Sequence, residues 1–352
     1  MVEHVDFATH GQIGVITLSR PQALNALTLS MAQAIHEQLE KWQFDTTVSA
    51  VMIESQAEKI FCSGGDIRWL YEAGQYRDSS SLRQFFECEY RLNNYIHNYP
   101  KPYIALVDGL VFGGGVGIAL HGSHSIAGSN FVFSMPETGI GFFPDIGASF
   151  LLAQCPGVIG NYLGLTGARV YSQDAYFCGL VKHIINSNIL IEFKELLFTT
   201  DIASDPYQLV TQCILQFATI SNDLGLLQKN SNHINRVFAL HTIEEIVAEL
   251  QTAHELLLRE TYQQLLKKSP ISLKVTLKQL QQARTLSLAE CLKMDYCLVG
   301  NFMHGRDFYT GVRSVVINKD KSPKWQIDSI ADVTDALVAD YFKCMWGELN
   351  LC

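Results

Sequence analysis

Two glycine-rich turns are the first segments of this 352-residue sequence whose residues could do chemistry. Residues 113–117 read Gly-Gly-Gly-Val-Gly between an apolar stretch and a run of small residues, and the second turn covers residues 63–66. Free backbone N–H groups at such turns can bind a phosphate or an oxyanion. One N–H from each turn would stabilise the oxyanion of an activated acyl group. Close packing of the glycines against a sheet, with Asp66 as a simple helix cap, is the alternative.

Three acidic residues are candidates for acid–base or nucleophilic work. Glu137 and Asp145 lie in one loop that is otherwise apolar and stiff. Apolar surroundings raise the pKa of a carboxyl group towards the range useful in acid–base catalysis. Asp145 could equally cap a helix that starts at Ile146. Glu89 lies in a predicted helix, where a lone acid is usually solvated, so the pattern alone assigns it no role.

Several other chemistries lack their characteristic spacing. The first glycine turn is not the dinucleotide motif G-x-G-x-x-G, and G-x-x-x-x-G-K-[ST] and G-x-S-x-G do not occur. His121 and His124 have the spacing of a metal pair, but no third ligand stands nearby, so we predict a surface or packing role and no metal. The nine cysteines include no C-x-x-C pair, which predicts reduced core thiols rather than a zinc site or a disulfide framework.

Alternating strand and helix patterns must position these groups. The patterns predict strands at residues 13–18, 49–53, 103–107 and 131–134, helices at 28–42, 81–99 and 113–120, and two long helices at 243–268 and 271–284. Strand, helix and strand in turn indicate an α/β fold. Beyond about residue 185 the patterns are mainly helical. We therefore predict a core over residues 1–185 and a mainly helical C-terminal region over 186–352.

Composition and charge narrow the list of partners. Hydrophobic residues make up 48% of the chain and charged residues 17%, which excludes a disordered protein. The formal net charge of −9 offers no excess of positive charge to bind nucleic acid. The longest apolar run, residues 105–120, is shorter than the ~20 residues of a membrane helix, so we predict no membrane partner. The first six residues carry two acids and no Lys or Arg, which predicts a cytoplasmic location.

The sequence resembles the enoyl-CoA hydratase/isomerase (crotonase) family at three motifs in order. They are Phe61-Cys62-Ser63-Gly64-Gly65-Asp66-Ile67, then residues 101–109 running into the glycines at 113–115, and then Met135-Pro136-Glu137. Further matches at 20–27, 269–274, 306–308, 311–313 and 319–325 extend the resemblance over most of the chain. It implies a spiral of ββα turns, an acyl-CoA thioester as substrate and no cofactor. It also allows copies of the chain to associate through the helical C-terminal region.

The resemblance also implies a role for each candidate residue. The N–H groups of Gly65 and Gly114 would form the oxyanion hole. Glu137 would act on the thioester carbonyl, either by attacking it or by activating a water. Asp145 would hold a 3-hydroxyl of the substrate or that water, and Glu89 would contact the same polar end. Coenzyme A would lie over residues 23–25 and 66–68, which gives as binding candidates Ala23, Leu24, Asp66 and Ile67.

One absence separates two chemistries within the family. A family hydratase uses two glutamates to add water to a C=C bond, one from the glycine-rich helix and one from the Pro-Glu loop. The helix position is Gly117 in this chain, so only Glu137 remains. The sequence therefore predicts thioester hydrolysis. The alternatives are a hydratase or isomerase, and a catalytically silent acyl-CoA-binding protein, which would need neither Glu137 nor Asp145.

Overall fold

The computed structural model of the protein describes residues 4–219 and 223–351. By their contacts its residues form two compact units. Unit 1 comprises residues 1–65, 88–133 and 170–225, and unit 2 comprises residues 66–87, 134–169 and 226–352. The boundary near residue 185 was drawn from sequence patterns, and it stays a prediction.

The strands of the described residues form two sheets. They are β1 (Val5–His10), β2 (Ile13–Leu18), β3 (Ala50–Ser55), β4 (Lys59–Cys62), β5 (Tyr103–Val107), β6 (Gly109–Phe112), β7 (His124–Ala127), β8 (Val132–Ser134), β9 (Val170–Tyr171) and β10 (His183–Ile184). One sheet has the order β1-β2-β3-β5-β7-β10, with β1 antiparallel to β2 and the remaining pairs parallel. The other has the order β4-β6-β8-β9.

Helices account for most of the remaining elements. They are α1 (Leu29–Phe44), α2 (Ile67–Gln75), α3 (Ser79–His97), α4 (Gly114–Leu120), α5 (Ala148–Ala153), α6 (Ile159–Thr166), α7 (Ser172–Phe177), α8 (Leu190–Thr199), α9 (Pro206–Leu215), α10 (Leu226–Lys229), α11 (Ser231–Phe238), α12 (Ile243–Thr252), α13 (Leu256–Leu265), α14 (Pro270–Ala283), α15 (Leu288–His304), α16 (Asp307–Val312) and α17 (Asp335–Tyr341). Past β10 the named elements of the described residues are all helical, as predicted.

Local sequence signals explain where several elements begin. Thr28 caps α1, because its side chain accepts a hydrogen bond from the N–H of Met31 at 3.2 Å. Ser269 caps α14 in the same way, and Pro270 occupies the first turn, where its missing N–H costs nothing. The predicted helix over 243–268 is wrong in one respect. It is two helices, α12 and α13, because the chain is extended at Ala253 and Glu255.

Each unit has its own apolar core. In unit 1 the long sheet packs against α8 and α9 through a cluster of fully buried side chains that includes Ile104, Ile126 and Phe193. In unit 2 an aromatic cluster joins the loop after β8 to α15 and α16. The ring centroid of Phe142 lies 5.5 Å from that of Phe302 and 5.4 Å from that of Phe308. Each core holds in place the segments of its own unit that carry candidate site residues.

The expectation that all cysteines are reduced is wrong for one pair. Cys297 of α15 and Cys344 near the C-terminus form a disulfide across 47 positions of sequence. Folding brings these residues together, and no local spacing marks them as partners. Six other described cysteines take no part in a disulfide, and five of those are buried. Over the described part of the chain, no helix combines the length and the apolar character required to span a membrane.

Candidate active site

The two glycine turns lie side by side because the strands that lead into them are neighbours. β4 and β6 run parallel and pair directly, so the two segments that follow them leave the sheet at the same edge. Gly64 has φ +107° and Gly113 φ +44°, values that L side chains rarely adopt. A Cβ placed on Gly114 would lie 3.1 Å from the backbone nitrogen of Gly65. The turns therefore meet as predicted, and the role of their N–H groups as oxyanion donors stays a prediction.

Helix α3 supplies two buried polar side chains that face helix α4. Glu89 is only 2% exposed, and its Oε1 occupies the space that a Cβ on Gly114 would need. The interpretation of Glu89 as a solvated helix acid is therefore wrong. Asn93 lies one turn further along α3 and is fully buried. A Cβ on Gly117 would lie 2.5 Å from its Nδ2.

The contact between Asn93 and Gly117 bears on the missing second glutamate. The amide of Asn93 fills the space in front of Gly117, so a side chain at position 117 would have to displace it. The neighbouring thiol offers no substitute, because burial raises the pKa of Cys62 to about 12. Unit 1 therefore brings backbone donors, a carboxyl and an amide together at α4, without a second acid–base group at position 117.

Glu137 stands at the start of a short 3-10 turn, Glu137–Ile140, that directly follows β8 and Pro136. The turn is fixed from both sides, because Thr138 donates to the carbonyl of Leu165 at 3.0 Å and accepts through its own carbonyl from the N–H of Ser269. Glu137 is 7% exposed, and its Oε2 has no hydrogen-bond partner among the described residues. Burial, and next the negative charge of Asp145, raise the pKa of Glu137 well above its ordinary value.

Lys268 is a positive charge beside the same turn. A Cβ placed on Gly139 would lie 3.1 Å from its Nζ. Burial lowers the pKa of Lys268 to about 8, and the negative charge of Glu137 opposes that shift. In return, the charge of Lys268 lowers the pKa of Glu137, although it does not overcome burial and Asp145.

Asp145 lies in a loop that two helices hold from either side. Gln279 of α14 donates from Nε2 to the carbonyl of Pro144 at 2.8 Å and to Oδ1 of Asp295 at 2.7 Å. Oδ2 of Asp295, on α15, accepts from the N–H of Gly147 at 2.8 Å. Asp295 is fully buried, and burial raises its pKa well above the ordinary value. We call Gln279 and Asp295 the loop clamp.

The alternative role of Asp145 as a helix cap is wrong. Helix α5 begins at Ala148, and its N-cap is Gly147, with no side-chain cap. Ile146 and Gly147 both have positive φ, +57° and +71°, so the chain makes a tight turn before the helix starts. Local sequence does not predict this turn, because isoleucine rarely adopts a positive φ. Asp145 is 6% exposed.

The four coenzyme A candidates lie near the glycine turns in sequence. Ala23 ends a short 3-10 turn, and Leu24 follows it with φ +52° and a 48% exposed side chain. The carbonyl of Leu24 accepts from the N–H of Ser63 at 3.0 Å, which ties this segment to the second glycine turn. Asp66 caps α2 by accepting from the N–H of Trp69 at 3.2 Å, and Ile67 is the first residue of that helix. Their binding of coenzyme A stays a prediction.

The two histidines with metal-like spacing have ordinary packing partners. His124 hydrogen bonds to Ser123 at 2.8 Å and to Thr211 at 3.1 Å, while the ring of His121 meets that of His97 edge to face. Within residues 4–219 and 223–351 no group of three His, Cys, Asp or Glu side chains could hold a metal ion.

Comparison with known proteins decides the family. A family model described as Enoyl-CoA hydratase/isomerase matches residues 13–342. The chain belongs to this family. A Danio rerio protein named 3-hydroxyisobutyryl-CoA hydrolase, mitochondrial, is 40% identical over 341 residues, which cover 96% of this chain and 89% of the relative. The Homo sapiens protein of the same name is 38% identical over 355 residues, 98% of this chain and 91% of the relative.

Solved structures of the family confirm the fold. An enoyl-CoA hydratase from Rhodobacter sphaeroides 2.4.1 is 34% identical with a TM-score of 0.91, covering 99% of this chain and 100% of that one. A carnitinyl-CoA dehydratase from Mycobacterium thermoresistibile is 33% identical with the same TM-score, covering 99% of both chains. The predicted family and the predicted crotonase-like α/β fold with a mainly helical C-terminal region are therefore confirmed.

The predicted cytoplasmic location is contradicted. The relatives from Danio rerio, Gallus gallus, Bos taurus and Homo sapiens are all named as mitochondrial proteins. The prediction rested on the charges of residues 1–6 alone, and the names of these relatives overturn it. The amino-acid composition of a folded core reflects packing and solubility, and it does not determine the cellular location.

Sequence reasoning missed four residues that contact the candidate segments within their own units: Asn93, Lys268, Gln279 and Asp295. Asn93 follows Glu89 by four positions, which places both on one face of a helix, and this spacing could have drawn attention to it. The other three lie more than a hundred positions from the loops that they contact. Only the folded chain brings them there.

Proposed function

We propose that the protein is a thioester hydrolase that converts 3-hydroxyisobutyryl-CoA to 3-hydroxyisobutyrate and free coenzyme A, a step of valine degradation. The observation that carries the proposal is the glycine at position 117, whose space the amide of Asn93 fills, so that the Pro-Glu loop supplies one buried glutamate and position 117 supplies no second one. One carboxyl group suffices to open a thioester, whereas hydration of an alkene needs two proton-handling groups. The names of the curated relatives support this substrate.

In the proposed reaction the N–H groups of Gly65 and Gly114 bind the thioester oxygen and stabilise the charge that develops on it. A donor of this kind is worth roughly 3 kcal/mol in a site that excludes water. Ionised Glu137 attacks the carbonyl carbon to give an acyl anhydride, or it takes a proton from a water that attacks instead. In both routes the C–S bond breaks, the sulfur leaves as the thiol of coenzyme A, and one water is consumed.

The other candidate residues hold the substrate in this proposal. Asp145 orients the 3-hydroxyl or the attacking water, and Glu89 contacts the same polar end. Coenzyme A lies over the segments that contain Ala23, Leu24, Asp66 and Ile67. The reaction as written needs no cofactor, and association of copies through the helical C-terminal region belongs to the same proposal.

A hydratase is the second candidate, because the two solved structures described above carry dehydratase and hydratase names. It would need an acid–base group at position 117, where a Cβ would lie 2.5 Å from the amide of Asn93. Hydrolysis therefore fits this chain better than hydration does.

The substitution Glu137→Gln tests the proposal. We expect thiol release from 3-hydroxyisobutyryl-CoA to fall by about 10²- to 10⁴-fold, the range for loss of a positioned base, and by more if Glu137 is the nucleophile. Affinity for the acyl-CoA should be kept, since the amide has nearly the same shape. Glu260→Gln, an exposed position on α13, is the matched control and should release thiol at the parent rate. Turnover of Glu137→Gln within threefold of the parent would refute the assignment.

A further inference from the structure

Asn93 is a buried polar side chain that the reaction described above leaves unused. It is fully buried in α3, and neither its Oδ1 nor its Nδ2 has a hydrogen-bond partner among the described residues. Buried polar side chains of folded proteins are nearly always paired, because an unpaired amide loses its bonds to water on folding. A leucine of similar volume would fill the same space without that loss. Packing alone therefore does not account for an asparagine at this position.

The geometry shows what this amide faces. Glu89 and Asn93 are separated by one turn on a single face of α3, and Gly114 and Gly117 are separated by nearly one turn on α4. The Glu89 carboxyl stands against Gly114, and the Asn93 amide stands against Gly117, 2.5 Å from a Cβ built there. Two polar side chains thus line the strip of α4 that begins at the proposed oxyanion donor.

We infer that the Asn93 amide binds the 3-hydroxyl group of the acyl chain and so selects hydroxylated thioesters. The inference rests on the proposed function, since it takes Gly114 as the donor to the thioester oxygen. A hydroxyl both donates and accepts a hydrogen bond, and an amide offers one acceptor group and two donors, so the amide can pair with the hydroxyl in either direction. Gly117 lies about 4.5 Å along the helix axis from Gly114. The hydroxyl oxygen of a 3-hydroxyacyl group is three bonds from the carbonyl carbon, so its reach matches that spacing.

The test compares two thioesters that differ only in the hydroxyl group, 3-hydroxyisobutyryl-CoA and isobutyryl-CoA. For Asn93→Leu we expect kcat/KM on the hydroxylated ester to fall by roughly 10- to 100-fold, because its hydroxyl would lose the hydrogen bond to the amide in a buried setting. The value on isobutyryl-CoA should stay within threefold of the parent. Asn94→Leu, the next residue of α3 and only partly buried, is the matched control and should leave the ratio unchanged. An equal loss on both esters in Asn93→Leu would overturn the inference.

Two further measurements keep the inference separate from folding and from the proposed function. Asn93→Ala removes the amide without adding apolar bulk, and it should show the same loss of preference if the leucine variant does not fold. Equilibrium binding of the corresponding thioether analogues, which cannot be hydrolysed, should show the parent's preference for the hydroxylated analogue and its loss in both Asn93 variants. If the parent released no thiol, the proposed function would fail, and this binding ratio would still decide the role of Asn93. Equal affinities of the parent for both analogues would contradict it.

Discussion

Glu137 is surrounded by groups that push its pKa in opposite directions. Burial and the negative charge of Asp145 raise it, and the positive charge of Lys268 lowers it. Since the net shift is upward, Glu137 still carries its proton at pH values where an exposed glutamate has lost it. The proposed reaction needs the ionised form. Hydrolysis should therefore rise with pH through a value above the ordinary pKa of glutamate.

Replacing Lys268 by Met should move that rise to higher pH. The substitution removes the positive charge that favours ionised Glu137, so the pKa of Glu137 increases. The measurement is kcat/KM for thiol release as a function of pH, restricted to pH below about 8, where Lys268 of the parent carries its charge. Lys267→Met, at an exposed neighbouring position, is the control and should reproduce the parent profile. An unchanged or lower midpoint in Lys268→Met would show that this charge does not act on Glu137.

The residues that the sequence identified at the site are those that stand in local motifs. Gly65, Gly114 and Glu137 each lie in a short run whose residue types predict a role for them. Asn93 and Lys268 stand in ordinary helical segments, and their importance comes from contacts with Gly117 and with the turn at Gly139. Such contacts depend on how helices cross, which periodicity in one segment does not specify.

The loop clamp is the element that fixes the position of Asp145. A single amide, that of Gln279, satisfies both the carbonyl of Pro144 and one oxygen of Asp295, and the other oxygen of Asp295 satisfies Gly147. The loop residues on either side of Asp145 are thereby held by α14 and α15. Because all of these groups are buried or nearly so, their bonds have no competition from water.

Gln279→Leu should break the clamp. The substitution leaves the Pro144 carbonyl and one carboxyl oxygen of Asp295 buried without a donor, which should lower the free energy of unfolding by about 2–4 kcal/mol. Urea denaturation of the variant and the parent measures this difference. Gln282→Leu lies on the same helix at an exposed position and should stay within about 0.5 kcal/mol of the parent. Equal stability of the two variants would mean that the clamp contributes nothing.

At the scale of elements, the predicted bounds are most accurate where turn residues or a proline mark the end of a strand or the start of a helix. β2 and β5 match the predicted residues 13–18 and 103–107, and α14 begins at Pro270, one residue before the predicted start. The break between α12 and α13 was missed, because residues 253–255 contain neither Gly nor Pro. The short strand β4 was also missed, since its pairing with β6 depends on a distant segment.

At the scale of the whole molecule, the family resemblance predicts an arrangement that local patterns do not specify. It predicts the ββα architecture, which the solved structures confirm together with the helical C-terminal region that periodicity predicts. It does not predict the pairing of Cys297 with Cys344, and nine cysteines allow many pairings. The cellular location was predicted wrongly, because no property of the folded chain determines it.

The identity of the product tests the central claim most directly. The parent protein is incubated separately with 3-hydroxyisobutyryl-CoA and with crotonyl-CoA, and the products are identified by mass. We predict free coenzyme A and 3-hydroxyisobutyrate from the first ester. We predict no gain of water with an intact thioester from the second, because Gly117 supplies no second acid–base group. Formation of a hydrated crotonyl thioester at a rate that rivals thiol release from 3-hydroxyisobutyryl-CoA would contradict the account.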